Sequence, residues 1–171
     1  MKMKLQHLAL VFSLLCMALT SCHKSSEIKL VYSIEFSDDL EDVADIEVHY
    51  TDFNGVMYRE KAENGYWEKE LVTPCPPVSS KLRVETNRDA NIVGDEPLTL
   101  EMNVKAEAIR YVDGEVMEAV DYEEHISSVA TGREEVINAL PSFNVERNYV
   151  IVDTLMMLQI GSARAITAFN L

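Results

Sequence analysis

Cysteine is scarce in this chain of 171 residues, occurring only at Cys16, Cys22 and Cys75. The first two fall within or at the end of an apolar N-terminal stretch, so the body of the chain holds one thiol and no internal disulfide. Its stability must come from a packed core, which a body of this length can build as one domain. Basic residues are also few, with 15 Lys and Arg against 29 Asp and Glu, a formal net charge of −14. So acidic a surface repels phosphate backbones and anionic headgroups, which argues against nucleic acid as a partner. After residue 22 no uncharged apolar run approaches the roughly 20 residues that a membrane span requires. Motifs with a definite chemistry are missing too: HExxH, a CxxC pair, a P-loop, G-x-G-x-x-G and G-x-S-x-G are all absent. No cofactor, no metal and no enzymatic activity are expected.

What is present begins with Met1 to Cys22, MKMKLQHLALVFSLLCMALTSC. Lys2 and Lys4 precede an almost wholly apolar run from Leu8 to Leu19, which ends in small and polar residues. A cationic start, a short apolar middle and small residues at a cut define a secretory signal. Its last four residues, Leu19-Thr20-Ser21-Cys22, resemble a bacterial lipobox. That resemblance implies cleavage after residue 21, a diacylglyceryl thioether on Cys22 and acylation of the new amine. At roughly 0.8 kcal/mol per buried CH₂, two or three acyl chains make a lasting membrane anchor. The alternative is an ordinary signal peptide cut near Ser21, leaving Cys22 as a free thiol. Losing two lysines and no acid would take the mature net charge from −14 to −16. Residues 22–26 then form a lipidated tether, and 27–171 a single domain.

That domain reads as strand. Ile28, Leu30, Tyr32, Ile34 and Phe36 alternate with more polar neighbours, as do Ile46, Val48 and Tyr50, then Leu82, Val84 and Thr86. Between the first two runs, Asp38 to Ala44 forms an acidic turn with room for one turn of helix. Asn54-Gly55 and Asn64-Gly65 suit tight turns with positive φ, which predicts a meander of strands near 45–53, 56–63 and 66–72. Pro74-Cys75-Pro76-Pro77 cannot lie inside a sheet and predicts a crossover. Pro97 to Val112 is the longest strand candidate. Its apolar phase shifts at Ile109 and Tyr111, as a β-bulge would cause, and Asp113-Gly114 turns it into a partner strand from Glu115 to Ile126. Thr131-Gly132-Arg133-Glu134 fits a capping box, with the Glu134 carboxylate reaching the Thr131 amide, so a short helix is expected near 132–140. Phe143, Val145, Tyr149 and Ile151 suggest a further strand, and the tail from 154 leans to strand at first and stays open at its end. Together these elements predict a mainly β fold, an antiparallel sandwich of immunoglobulin- or transthyretin-like type, with one short helix.

Candidate chemical groups in the body are few. His49 faces outward on its strand and reads as a surface histidine rather than a ligand. His125 beside Glu123 and Glu124 could form an acid–base pair, the basis of a hydrolase alternative. Asp38, Asp39, Glu41, Asp42 and Asp45 form the densest acidic cluster, but have neither the glycine nor the spacing of a Ca²⁺ loop and read as a solvated turn. Cys75 has no cationic neighbour to activate it. The aromatics Tyr32, Tyr50, Tyr58, Tyr66 and Trp67 read as core where period two turns them inward, with Trp67 sharing a face with Lys69 and Leu71 at the core's edge. Tyr66 and Trp67, which follow a turn, are the exceptions expected to offer a partner-binding surface.

The lipobox, the size, the acidic β-rich body and the segment FSDDLEDVADIEVHYTDFNG at Phe36 to Gly55 resemble small lipoproteins of gut Bacteroidota. The resemblance carries over no known active site. It implies an outer-membrane lipoprotein facing the cell surface or the periplasm, held to the membrane by its lipid. The expected function is non-enzymatic binding or scaffolding of a protein, peptide or glycan, and the alternative is a structural accessory of a surface or fimbrial assembly.

Overall fold

The computed structural model describes residues 26–74, 77–88, 96–152, 155–160 and 166–169, the last two segments and Arg88 by backbone alone. The signal, Cys22, and Cys75 between its prolines lie outside them. The expected antiparallel β-sandwich is present, in two sheets. The strands are β1 (Ser26–Phe36), β2 (Ala44–Thr51), β3 (Met57–Ala62), β4 (Tyr66–Thr73), β5 (Val78–Arg88), β6 (Pro97–Val112), β7 (Glu115–Thr131), β8 (Val145–Val152), β9 (Leu155–Ile160) and β10 (Ile166–Phe169). One sheet has the order β4-β1-β6-β7 and the other β10-β9-β8-β5-β2-β3. Because β1 and β2 fall in different sheets, the order differs from an immunoglobulin constant domain, whose first two strands share one.

Alternation builds the core. Ile28, Leu30, Tyr32, Ile34 and Phe36 of β1 face Ile46, Val48 and Tyr50 of β2 and Leu82 and Val84 of β5 across the sandwich, all buried. On β6, Leu100, Met102, Val104 and Ala106 are fully buried. The phase shift read near Ile109 is a true irregularity: the β6–β7 register slips between Arg110 and Tyr111, which leaves Met117 of β7 as the extra residue. Asp113 and Gly114 both take positive φ at the tip of that hairpin.

Local chemistry fixes the turns. The Asp52 carboxylate accepts from the amides of Asn54 (2.9 Å) and Val56 (2.8 Å), which closes the β2–β3 hairpin around Gly55. The acidic turn after β1 is a short helix, α1 (Asp38–Val43), capped by Ser37 and tucked in by buried Leu40 and Val43. A second helix, α2 (Gly132–Ala139), is where the sequence placed it, and a 3-10 turn at Leu140–Phe143 containing Pro141 ends it.

Two expectations are corrected. The meander does not continue past β3: Asn64 and Gly65 make a tight turn with a single bridge from Glu63 to Tyr66, then the chain crosses to the other sheet, where β4 pairs with β1. Alternation specifies which face of a strand is buried, not which sheet it joins. The α2 cap also differs. Glu135, not Glu134, accepts from the Thr131 amide (2.7 Å), and the Thr131 side chain makes no capping bond. Gly132 enters the helix at φ +72°, and in this left-handed entry it is Glu135 that meets the amide.

Candidate functional site

The residues singled out from sequence separate into distinct places. Tyr66 opens β4 opposite Glu35, is 45 % exposed, and its hydroxyl donates to Glu68. Trp67 is not its surface partner, which corrects the expectation of an exposed pair. It points between the sheets, is buried, and its indole N–H donates to Glu60 Oε2 at 3.0 Å. Successive side chains of a strand face opposite ways, so two neighbours cannot both lie on one surface.

The acidic cluster around α1 organises the fold. Asp39 accepts from the Thr99 amide (2.7 Å), and Glu41 accepts from the amides of Asn64 (2.7 Å) and Gly65 (3.0 Å), clamping the turn between sheets. Asp45 pairs with Lys61 at 2.9 Å. His125 is exposed on β7, and its two neighbouring carboxylates are engaged elsewhere. Glu123 accepts from Asn103 (2.6 Å), while Glu124 faces inward and binds Arg147 (2.6 Å) and the Tyr122 hydroxyl (3.0 Å).

Two polar seams close the sides of the sandwich. At the β3/β4 side, Glu60 collects the Tyr50 hydroxyl (2.6 Å), the Trp67 indole and the Lys69 ammonium (2.9 Å). Tyr50 also stacks on Tyr58, with ring centroids 5.1 Å apart, and Lys69 lies over the Tyr50 ring at 5.2 Å. Partial burial pushes the Glu60 carboxyl up, but hydrogen bonds from Tyr50, Lys69 and Trp67 outweigh it and hold it below the ordinary glutamate value. Lys69, hydrogen-bonded to Tyr50 and Glu60, is pushed up to about 12. The β7/β8 side carries Tyr122, Glu124, Arg147 and Tyr149 in a matching role. Burial raises the Tyr149 and Tyr32 hydroxyls well above the ordinary tyrosine value.

The remaining cluster lies on the outer face of the six-stranded sheet. Glu47 and Glu85 stand directly opposite each other on paired strands β2 and β5, and His49 follows on the same face. His49 Nε2 is 3.2 Å from Glu85 Oε2 and 3.8 Å from Glu47 Oε2. That nitrogen is enclosed yet makes no well-formed hydrogen bond among the described residues. Arg59 of β3 grips Glu47, and Arg83 of β5 grips Glu85. Beside the cluster a depression of about 280 Å³, open to solvent, is lined by His49, Tyr50, Thr51, Met57, Lys81 and Arg83. Sequence spacing could not reveal this group, because Glu85 comes from a strand that only sheet pairing brings beside His49.

No model of a known protein family matches the chain, and no curated protein matches it either. Among the described residues, no helix is long and apolar enough to cross a membrane.

Proposed function

We propose that this protein is a lipid-anchored, non-enzymatic binding or scaffolding module of the cell envelope, held to the outer membrane through Cys22. In this view it presents a protein, peptide or glycan site at the end of the sandwich farthest from the lipid. The observation that carries the proposal is the register of the four-stranded sheet. Ser26 pairs with Val112 at one end of β1, while Glu35 pairs with Tyr66 at the other. Eleven residues of strand at about 3.3 Å each separate those ends by roughly 35 Å. The four links from Cys22 to Ser26 reach at most about 14 Å. A lipid on Cys22 would therefore hold the Ser26 end near the bilayer and aim Tyr66, with the turn that Glu41 clamps, away from it.

The test is a photo-crosslinking residue at position 66 in living cells, paired with one at 116 near the opposite end and with protease shaving of intact cells. A specific adduct at 66 but not at 116 is expected. Adducts at neither position, in cells where the protein is abundant, would remove the distal-site proposal. Loss of the domain on shaving, with a periplasmic control intact, would assign it to the cell surface, and protection would assign it to the periplasm.

A structural role in a surface assembly is favoured by one feature. β7 is 17 residues long, ends the four-stranded sheet, and carries no strand on its outer side among the described residues. A free edge of this length can template pairing with another chain. Proline at alternate outward-bonding positions of β7 would abolish assembly on that basis and leave a Tyr66-centred interaction intact.

A further inference from the structure

We propose that Glu47, His49 and Glu85 form a binding site for a divalent transition metal of the Zn²⁺ class. Three potential ligand atoms, one per residue, lie within 4.8 Å of one another. Donors bound to Zn²⁺ at about 2.0–2.2 Å in tetrahedral geometry stand roughly 3.3–3.6 Å apart. The 3.2 and 3.8 Å separations from His49 Nε2 bracket that spacing, so little movement is needed to close the three donors around an ion.

The frame is stiff, since β2 and β5 are neighbouring interior strands of the six-stranded sheet and hydrogen-bond to each other along seven register pairs. Two carboxylates placed face to face repel, and a strand pair without a compensating charge would be weakened by them. Arg59 and Arg83 offset those two charges, and Arg83 also orients Glu85, as outer hydrogen bonds do for metal-binding groups. Arg83 engages Glu85 Oε1, which leaves Oε2 turned toward His49. Arg59 occupies both oxygens of Glu47, but its side chain is 64 % exposed and can yield to an ion without opening the core.

The donor set decides the metal. One imidazole with two carboxylates suits Zn²⁺ and its first-row neighbours, whereas Ca²⁺ and Mg²⁺ prefer oxygen alone. Three protein donors leave a further coordination position, facing outward from the sheet. The alternative is a surface ladder in which His49 merely pairs with Glu85. It requires no metal affinity, so the two accounts separate cleanly.

The experiment titrates ZnCl₂ into purified full-length protein in detergent, with cysteines alkylated beforehand, by calorimetry. Long-range ¹H–¹⁵N spectra of the imidazoles are recorded in parallel. One saturable site is expected, with the Nε2 resonance of His49 shifted and that of His125 unmoved. His49→Ala and Glu85→Gln should each abolish the site, and CaCl₂ should not fill it. Arg59→Ala should bind as tightly as the parent or more tightly, since it removes the competing guanidinium. Absence of saturable binding, an unmoved His49 resonance, or undiminished binding in Glu85→Gln would overturn the proposal. The spectra of the unmodified sequence decide the matter even if a variant fails to fold.

Discussion

Replacing Glu60 by alanine probes how the sandwich is held shut along the β3/β4 side. Its carboxylate accepts from three donors on two elements of the opposite flank and its own sheet: Tyr50, Trp67 and Lys69. Tyr50 and Trp67 are almost wholly buried, so when the acceptor is lost their hydroxyl and indole N–H regain water only in part, through the partly exposed Glu60 position. A buried donor left unpaired costs about 1–3 kcal/mol. Lys69 is half-exposed and rehydrates, so its ion pair adds little. Allowing for partial exposure of Glu60 itself, Glu60→Ala should destabilise the domain by about 2–3 kcal/mol, and Glu60→Gln, which keeps one acceptor, by about half of that. Urea unfolding followed by Trp67 fluorescence measures both. A cycle of Glu60→Ala with Trp67→Phe, followed by circular dichroism because it removes the chain's one tryptophan, should show a coupling of roughly 1 kcal/mol. The pH dependence adds a second check. The folded Glu60 value is depressed, so its contribution is full above the unfolded glutamate pKa of about 4.3 and disappears as pH falls below that through the folded value. The gap between parent and Glu60→Gln should therefore be largest near neutrality and shrink toward pH 3. A change below 0.5 kcal/mol for Glu60→Ala, or a gap that widens in acid, would refute this account of the seam.

Further outcomes follow from the same structure. Arg147→Ala should cost about 3 kcal/mol, because it strands Glu124 inside the opposite seam; denaturant midpoints of Arg147→Ala and of the double variant with Glu124→Ala separate lost attraction from a stranded charge. Gly65→Ala should cost about 1–2 kcal/mol, since Gly65 sits at φ +74° and a Cβ there would stand 3.3 Å from the Phe36 carbonyl oxygen. Leu30→Ala, at the fully buried centre of β1, should cost about 2–5 kcal/mol. Tyr66→Ala should leave stability within about 0.5 kcal/mol and diminish partner capture, read by crosslinking from a neighbouring position such as Glu68.

Much of the fold was legible because period-two alternation is a direct image of a half-buried sheet. The faces of β1, β2, β5 and β6, the turn at Asp113-Gly114 and the slip beside Tyr111 all follow from which side chains seek the core. What alternation omits is the partner strand. Asn64-Gly65 looks the same whether the chain returns beside β3 or crosses to β1, and the crossed arrangement is held by the pairing of β4 with β1 and by the clamp from Glu41, 23 residues earlier. The seams were hidden for a related reason. Glu60, Lys69, Glu124 and Arg147 occupy inward-facing positions, so a charge in the apolar phase was the available signal, but its compensating partner sits on a different sheet. The same holds for the His49 cluster: the outward direction of His49 was readable, and the approach of Glu85 was not.

The proposed function rests on a lipid at Cys22, and intact mass analysis of the mature N-terminus from native membranes tests it most directly. The account predicts a first residue of Cys22 bearing a diacylglyceryl thioether and an acylated amine, with the Cys22→Ala variant uncleaved or released from the membrane. An N-terminus elsewhere, or Cys22 recovered as a free thiol, would contradict it.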